Sequence, residues 1–479
     1  MEGTMVGLKD RVIDGVARLS RDEKRFIGSL RSLSRIGKYV APTHEHRRQL
    51  QMLEEAIEED HPSIQLVRRV IEGCNEKFVR RVASLFVEHS WEGIQRRQEL
   101  EERFGVTVPS FIVISPLAAC NLQCSGCYAG AYGDSEPHLT TAEMESLIEE
   151  ARDWGCRFVT ISGGEPTMLW DSIPGDERGL RDLCRKYDDM MFLMYTNGTL
   201  IDQRMAAEMA EVGNVSPGIS LEGFRQQTDG RRGEGTFDRV MDAMARLREN
   251  GVLFGASVTY TSQNWETVTS DEFREMLVDS GCIYAWYFMY IPVGRDPDLS
   301  LMVTPRQRRS VAETTWRWLT SEPIFVADFW NSGPLTHGCI AAGNSAGYLH
   351  VTHRGDICPC AFMMYSNLNI HETDSQTPLM DAVRSDFFTK IREGQRDRQD
   401  NPLAPCQIVD HPEVLKNAVE SCGARDTQEG QLILTDLHEE LAERAEQWND
   451  IAEDLWTGSG TYVNFDSIYQ DNGRWLRPG

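Results

Sequence analysis

The segment Cys120-Asn-Leu-Gln-Cys124-Ser-Gly-Cys127 directly follows a short apolar stretch, residues 111–115, that is predicted to be the first β-strand of the fold. Its three thiolates lie within eight residues, a spacing that suits an iron–sulfur cluster. A four-iron cube has four metal corners, so three cysteines leave one iron open to a small ligand. Two alternatives stay open: a chance group of buried cysteines, and a zinc site completed by a distant cysteine, although structural zinc takes four closed ligands.

Strand-like and helix-like segments alternate around this loop, from about residue 108 to residue 320. Strands are predicted at 111–115, 158–162, 191–195, 217–221, 253–259 and 284–291. Helices are predicted at 140–154, 179–187, 202–212, 237–249, 271–280 and 305–319. Six such βα units imply parallel strands with right-handed crossovers, either as a partial (β/α)6 TIM-like barrel or as a doubly wound sheet. In both folds, ligands bind at the C-terminal ends of the strands.

The rest of the chain extends this α/β unit at both ends. The predicted regions are an N-terminal helical region (1–105), the partial barrel (106–320), an irregular cysteine-bearing domain (321–425), and a C-terminal helix and tail (426–479). The final helix is expected over residues 433–456, where apolar residues recur at helical spacing.

Charge and cysteine usage limit the partners and the location of the protein. The formal net charge of −25 disfavours nucleic acid. Residues 1–50 carry +5 and the remainder −30, which points to peripheral membrane contact, or an acidic partner, through this stretch. No apolar run approaches the roughly 18 residues of a membrane span, and no signal peptide is evident, so a cytoplasmic location is predicted. Thiols stay reduced in the cytoplasm, so the 12 cysteines indicate metal ligation or thiol chemistry in preference to disulfides.

Further motifs follow the second, third and fourth strands. They are Gly163-Gly164-Glu165-Pro166, Thr196-Asn197-Gly198 and Ser220-Leu-Glu222-Gly223. In order and place, these motifs and the three-cysteine loop resemble the radical S-adenosylmethionine (SAM) superfamily over roughly residues 108–320. The stretch 229–237, which contains Arg232, resembles a segment of the SPASM branch of that superfamily.

The resemblance implies a mechanism and a set of contacts. A [4Fe–4S] cluster on the three cysteines passes one electron into bound SAM, and the resulting 5′-deoxyadenosyl radical takes hydrogen from a substrate. The glycine pair and Glu165 would hold the SAM amino group, and Arg232 would face its carboxylate. The implied cofactor-binding residues are Gly163, Gly164, Glu165, Pro166, Asn197, Ser220, Glu222, Arg232 and Tyr128, with Thr259 as a further candidate. A flavodoxin or ferredoxin is the implied class of electron donor.

One position departs from the family pattern. Many members place an aromatic residue immediately before the third cysteine, against the adenine of SAM, whereas this chain has Gly126 there. Tyr128, which follows Cys127, is expected to supply part of that contact. Lipid-directed members of the family resemble this chain in carrying glycine at that position.

A second group of cysteines lies in residues 339–422. Cys339, the sequence Gly355-Asp-Ile-Cys358-Pro-Cys360 and Cys406 resemble the start of a SPASM or shorter twitch domain, which holds auxiliary [4Fe–4S] clusters. The full SPASM set has seven cysteines and only five lie here, so one auxiliary cluster is expected. The predicted ligands are Cys339, Cys358, Cys360 and Cys406, with Cys422 as a substitute. A zinc knuckle or loose thiols are the alternative, and His350, His353 and His411 are expected to be ordinary side chains.

The substrate has two main interpretations. The aromatic sixth strand (286–290), Gly126 and the basic residues 1–50 favour a lipid or isoprenoid substrate, although the aromatic strand could equally pack in the core. A SPASM-type peptide or protein-modifying maturase is the alternative, and the absence of a recognisable strand hairpin in residues 1–105 counts against it. A scaffold that has lost turnover is the third hypothesis, which the intact cysteine and glycine motifs oppose.

Overall fold

The computed structural model describes residues 23–40, 44–130, 137–396, 401–428 and 430–457. The helices are α1 Glu23–Val40, α2 His44–Glu58, α3 Pro62–Gly73, α4 Glu76–Val87, α5 Gly93–Phe104, α6 Thr141–Asp153, α7 Leu180–Lys186, α8 Gln203–Val212, α9 Arg225–Arg232, α10 Thr236–Glu249, α11 Trp265–Val268, α12 Asp271–Ser280, α13 Pro305–Ser321, α14 Gly333–Thr336, α15 Pro378–Arg384, α16 Asp386–Arg396, α17 Pro412–Cys422 and α18 His438–Thr457. The strands are β1 Phe111–Ile114, β2 Phe158–Ile161, β3 Met191–Thr196, β4 Val215–Ser220, β5 Gly255–Tyr260, β6 Tyr284–Met289, β7 Phe325–Asp328, β8 Tyr348–Val351, β9 Ile357–Cys358, β10 Tyr365–Ser366 and β11 Arg425–Asp426.

The central sheet has nine strands in the order β7-β6-β5-β4-β3-β2-β1-β8-β9. Strands β1 to β8 run parallel to their neighbours, and β9 is antiparallel to β8. From β1 to β7 the strands follow the chain in sequence, without the reversal of order that a doubly wound sheet requires. The sheet is therefore the predicted partial TIM-like barrel, and its six predicted strands are confirmed.

Three strands that the sequence did not reveal extend this sheet: β7 beside β6, and β8 followed by β9 beside β1. All three lie after residue 320, where the predicted alternation of strands and helices ends. They add to opposite ends of the six-strand arc, so the sheet continues past residue 320, where a domain boundary was expected. The division into four regions stays a prediction.

Helices of the N-terminal region close the lower end of the barrel, where the strands begin. Arg69 donates to the carbonyls of Val278 at 2.9 Å and Cys282 at 2.8 Å. Asn75 donates to the carbonyl of Ala210 at 3.2 Å, and Arg97 donates to that of Gly155 at 3.3 Å. These carbonyls lie at or just beyond the C-terminal ends of α12, α8 and α6, which carry partial negative charge. The opposite end of the barrel is left for the site.

Two sequence predictions concern the membrane and the remaining cysteines. Among the described helices, none combines the length and the apolar character that crossing a bilayer requires. From the sequence, Cys74, Cys156, Cys184 and Cys282 are expected to be ordinary buried residues. The last three are fully buried in the core, Cys74 is half-buried, and burial raises the pKa of each thiol.

A buried carboxylate joins α6 to the C-terminal region. Glu150 accepts the backbone N–H of Met380 at 2.8 Å and that of Leu379 at 3.1 Å, in the first turn of α15. Burial raises the pKa of Glu150 from 4.5 to about 7, although both N–H groups favour the ionised form. The carboxyl group is therefore neutral over part of the range in which an exposed glutamate is charged.

We expect Glu150→Gln to change the pH dependence of the free energy of unfolding. The unfolded chain loses this proton above about pH 4.5 and the folded chain only above about pH 7, so wild-type stability falls as pH rises through this window. At about 1.4 kcal/mol per pKa unit the fall is about 3–4 kcal/mol, and glutamine abolishes it. Urea denaturation across this pH range measures the effect. Glu149→Gln, on the exposed side of the same helix, is the control, and a constant difference between wild type and Glu150→Gln would contradict the expectation.

Candidate functional site

The three-cysteine loop and the glycine pair lie against each other above β1 and β2. The N–H of Gly164 donates to the carbonyl of Leu117 at 2.9 Å, and that of Glu165 donates to the carbonyl of Ala119 at 2.9 Å. A Cβ atom on Gly164 would stand 2.0 Å from the carbonyl oxygen of Ala119. Only glycine fits this contact, so Gly164 lets the backbone after β2 approach and support the backbone that leads into the cysteine loop.

Glu165 ties the ends of β2 and β3 together. Its carboxylate, 1% exposed, accepts the hydroxyl of Thr196 at 2.6 Å, the N–H of Asn197 at 2.7 Å and the N–H of Thr167 at 3.0 Å. Burial raises the pKa of Glu165, and these donors oppose that effect. Both carboxylate oxygens are used within the protein, and the predicted contact with the amino group of SAM stays a prediction. Pro166 begins the buried 3-10 turn that follows.

Hydrogen-bond donors surround the first cysteine of the loop. The Sγ of Cys120 receives the backbone N–H of Leu122 at 3.5 Å and the side-chain amide of Asn197 at 3.8 Å. The pKa of the Cys120 thiol is raised to about 11, mainly by burial, with smaller contributions in the same direction from negative charge on Glu165, Cys124 and Cys127. The three thiols would therefore ionise together only with a positively charged group between them, which iron would provide. The donor set therefore fits the cluster that the resemblance implies.

A carboxylate with two guanidinium groups clamps the cysteine loop from the side of β4. Glu222, 1% exposed, pairs with Arg231 Nη1 at 2.7 Å and with Arg232 Nη2 at 2.6 Å. Burial alone would raise the pKa of Glu222, but Arg232 and Arg231 hold it below its ordinary value. Arg231 donates to the carbonyls of Ser125 at 3.2 Å and Gly126 at 3.3 Å. The predicted polar contact of Glu222 with SAM stays a prediction.

The second guanidinium of this clamp reaches one of the predicted cluster ligands directly. Arg232 Nη1 lies 3.8 Å from the Sγ of Cys124. The sequence placed this guanidinium against the carboxylate of SAM, a contact that stays a prediction. Ser220 and Thr259 lie near the ends of β4 and β5, and both side chains are half-buried. All of these groups gather at the C-terminal ends of the strands, as the fold requires.

Two tyrosines lie beside the third cysteine, and sequence reasoning found only one. The hydroxyl of Tyr128 is 2.7 Å from that of Ser162, at the end of β2, and its ring centroid is 4.9 Å from that of Phe362. Tyr290 was predicted only as part of the aromatic sixth strand, and its ring stands 2.6 Å from where a Cβ on Gly126 would lie. The aromatic side chain beside this position therefore comes from the end of β6, too distant in sequence for a local motif to reveal.

An aromatic cluster separates the two cysteine groups. We use this name for Tyr128, Tyr195, Phe288, Phe329, Trp330, Tyr348 and Phe362. Phe362 lies 5.1 Å from Trp330 and 6.1 Å from Phe288, and Phe288 lies 5.5 Å from Tyr195, between ring centroids. Along β6 the side chains alternate: Phe288 faces this cluster, whereas Tyr287 is fully buried on the other side and donates to the carbonyl of Val268. Tyr287 therefore packs in the core, and the interpretation that this strand faces a substrate stays a prediction.

The second cysteine group is centred on Cys360. Negative charge on Cys360 raises the pKa values of Cys339, Cys406 and Cys358, and charge on Cys406 also raises that of Cys339, although burial is the main cause in each case. Cys358 is buried at the end of β9, with its Sγ 3.9 Å from the hydroxyl of Thr427. Cys422 ends α17.

The histidines near this group have protein partners. Nε2 of His350 is 2.8 Å from the hydroxyl of Ser115, and Nε2 of His411 is 2.9 Å from the carbonyl of Ala404. His353 is 2% exposed. Within the described ranges, no three His, Cys, Asp or Glu side chains converge as ligands of one metal ion. That finding concerns single ions, since thiolates on separate corners of a four-iron cube stand farther apart.

Comparison with known proteins identifies similar domains and folds. A sequence model of the Radical SAM superfamily matches residues 114–277. Fe-coproporphyrin III synthase of Methanosarcina barkeri is 34% identical over 173 residues, which are 34% of this chain and 41% of that protein. Mycofactocin maturase MftC of Mycolicibacterium smegmatis is 26% identical over 318 residues, covering 63% of this chain and 78% of that protein. The crystal structure of Streptococcus suis SuiB bound to S-adenosylmethionine superimposes with a TM-score of 0.50 at 20% identity, over 62% of this chain and 72% of SuiB, a likeness of fold alone.

Proposed function

Because the chain belongs to the radical SAM superfamily, we propose that it is an enzyme that binds a [4Fe–4S] cluster on Cys120, Cys124 and Cys127 and reductively cleaves SAM. When bound, the cluster and SAM supply the one-electron chemistry that yields a 5′-deoxyadenosyl radical, which abstracts hydrogen from an unidentified substrate or adds to it. The observation that carries the proposal is the clamp of Glu222, Arg231 and Arg232 on the cysteine loop at the mouth of the barrel.

Side chains around the loop have four tasks in this proposal. Asn197 and the N–H of Leu122 stabilise negative charge on Cys120, and Arg232 does the same at Cys124. Glu222 keeps both guanidinium groups in place. Gly163, Gly164 and Ser220 are proposed to line the SAM site, with Pro166 and Thr259 at its border. Tyr128 and the other rings of the aromatic cluster would exclude water from a reactive radical.

Production of 5′-deoxyadenosine tests the proposal. Anaerobically reconstituted wild-type protein with dithionite and SAM should release it, and the triple variant Cys120/Cys124/Cys127→Ala should release none. Cys184→Ala is the matched control, since it removes a fully buried cysteine far from the loop in sequence and should retain the activity. Release by the triple variant equal to that of wild type would refute the cluster assignment.

We propose an apolar substrate, such as a lipid or isoprenoid, held on the aromatic cluster. Seven aromatic side chains between two cysteine groups support this choice. A peptide or protein-modifying maturase is the alternative, and the similarity to mycofactocin maturase supports it. Residues 23–40 and 44–104, the part of the N-terminal region that the structure describes, contain helices only, which gives no support to a strand hairpin for peptide binding.

Peripheral membrane contact through residues 1–50 and an electron donor of the flavodoxin or ferredoxin class complete the proposal. Residues 1–22 lie outside the described residues. In the hairpin of α1 and α2, Arg35 and Lys38 pair with Glu54, so two basic residues are already neutralised. Binding to anionic liposomes should weaken when residues 1–50 are deleted, and equal binding by both chains would exclude this contact.

A further inference from the structure

We propose that Ser257 binds an uncharged hydrogen-bonding group of the substrate, a hydroxyl or a carbonyl, in a niche on the inner face of β4 and β5. The inference rests on the proposed function, because it assigns a residue to the substrate of the SAM-cleaving site. None of the sequence motifs described above contains Ser257, and its position follows from the register of the sheet.

Ser257 lies below the residues that are proposed to border the SAM site. In the sheet it pairs with Ser220 of β4 and with Trp286 of β6. Thr259 follows two positions later on the same strand, so Ser257 lies about 7 Å deeper in the barrel. The cysteine loop and the proposed SAM site occupy the mouth of the barrel, which places the substrate beneath them, at the level of Ser257.

The inner face of β5 is covered less tightly than its outer face. The outward-facing residues Ala256, Val258 and Tyr260 are 0% exposed. The inward-facing Ser257 and Thr259 are half-buried. β6 shows the same alternation. Space for a ligand therefore remains inside the barrel beside these two hydroxyl groups.

Two glycines and two aromatic rings shape the niche. Gly218 of β4 pairs with Gly255 of β5, so the inner face has no side chain at these two positions. The ring of Tyr195, from β3, stands 3.0 Å from where a Cβ atom on Gly218 would lie. That ring contacts Phe288, from β6, edge to face at a centroid distance of 5.5 Å. Because β4 and β5 separate β3 from β6, this contact spans the inner face at about the level of Ser257.

Tyr284 forms the floor of the niche. Its ring stands 2.4 Å from where a Cβ atom on Gly255 would lie. Its hydroxyl donates to the carbonyl of Pro217 at 3.0 Å and lies 2.8 Å from the hydroxyl of Ser216. The polar groups below Ser257 are therefore already paired, whereas the hydroxyl of Ser257 has no hydrogen-bond partner within the part of the chain that the structure describes.

The inner face at this depth carries no charge. Among the inward-facing residues of β3 to β7, which the structure describes in full, none is Lys, Arg, Asp or Glu. At the mouth, Glu222 is already paired with Arg231 and Arg232. A carboxylate or ammonium group in the niche would leave water without a counterion, at a large cost in free energy. The niche therefore favours an uncharged hydroxyl or carbonyl group.

Probes that share one chain length and differ in the polar group test this proposal. n-Octanol, n-octanoate and n-octylammonium are titrated into the full chain with reconstituted cluster and SAM but no reductant, and ligand-observed nuclear magnetic resonance measures their dissociation constants. We expect saturable binding of n-octanol, with both charged probes weaker by at least about ten-fold. N-acetyl-leucinamide is the probe for a peptide source, and binding that depends on Ser257 would support the niche with a peptide carbonyl as its occupant.

Variants of Ser257 locate the bound probe. Ser257→Ala should weaken n-octanol binding by about five-fold, the loss expected for one hydrogen bond, and Ser257→Thr, which keeps the hydroxyl, should retain it. Ser257→Phe should abolish binding, since the larger side chain fills the niche. Ser321→Phe, at the exposed end of α13 outside the barrel, is the control and should bind n-octanol as wild type does.

Three results would overturn the inference. They are no saturable binding of n-octanol by wild type, binding of n-octanoate as tight as that of n-octanol, and n-octanol binding that neither Ser257→Ala nor Ser257→Phe changes. Circular dichroism of each variant separates loss of binding from loss of fold. SAM is not cleaved without reductant, so failure here is distinct from failure of the proposed function, which release of 5′-deoxyadenosine tests.

Discussion

Replacement of Glu222 by leucine should lower the free energy of unfolding by about 3–5 kcal/mol and deprive the cysteine loop of its support. The carboxylate is 1% exposed and is shared by Arg231 and Arg232, whose side chains are 15% and 10% exposed. Without it, two mostly buried positive charges lose the carboxylate that both of them contact. The same variant should retain less iron at the radical SAM loop, since Arg231 also holds the backbone of Ser125 and Gly126.

Chemical denaturation and iron counting on Glu222→Leu test this expectation. The matched control is Asp238→Leu, which breaks the Arg225–Asp238 pair, with side chains 57% and 59% exposed. Water and salt screen that pair, so its loss should change stability little. Equal destabilisation by the two substitutions would show that the buried clamp has no special role.

Asp410→Leu should be the second strongly destabilising change, again by about 3–5 kcal/mol. Asp410 is 1% exposed and lies against Arg308, which stacks over Trp448 at 4.0 Å. Its carboxylate also accepts the N–H of Cys406 at 3.0 Å. Loss of the carboxylate therefore leaves Arg308 uncompensated, and it releases the loop that carries Cys406 from α13 and α18.

A double variant separates the two contributions. Arg308→Met with Asp410→Leu replaces the pair by apolar side chains, and much of the lost stability should return. The auxiliary iron should stay low in both variants, because neither restores the contact with Cys406. Urea denaturation and iron analysis provide the readouts, and a double variant less stable than Asp410→Leu would contradict the account.

The barrel could be predicted because its signals are local. Each strand from β1 to β6 lies next to an amphipathic helix, and the repeated alternation of strand and helix locates it. β7 also follows a helix, α13, so the same reasoning could have found it. β8 lies in an irregular segment, and its assignment depends on pairing with β1, which leaves no trace in the local sequence.

The candidate site shows the same division. The loop from Cys120 to Cys127 and the glycine pair are short motifs, and the sequence located both at the mouth of the barrel. The contact between Gly126 and Tyr290 joins residues 164 positions apart, and no motif encodes it. The roles of Glu165 and Glu222 were equally hidden, because whether a carboxylate faces a ligand or the protein depends on which donors the fold brings to it.

The pairing of β1 with β8 has a consequence for how the chain must be handled. β1 holds β2 on one side and β8 on the other, so both rows of its backbone hydrogen bonds are used. A fragment ending at residue 320 would lack β8, so one row of backbone N–H and C=O groups along β1 would lose its hydrogen-bond partners. Such an exposed edge on an apolar strand favours aggregation. The cysteine-bearing segment after residue 320 thus completes the sheet of the barrel. We expect neither portion to stay folded and free of aggregation when it is expressed without the other.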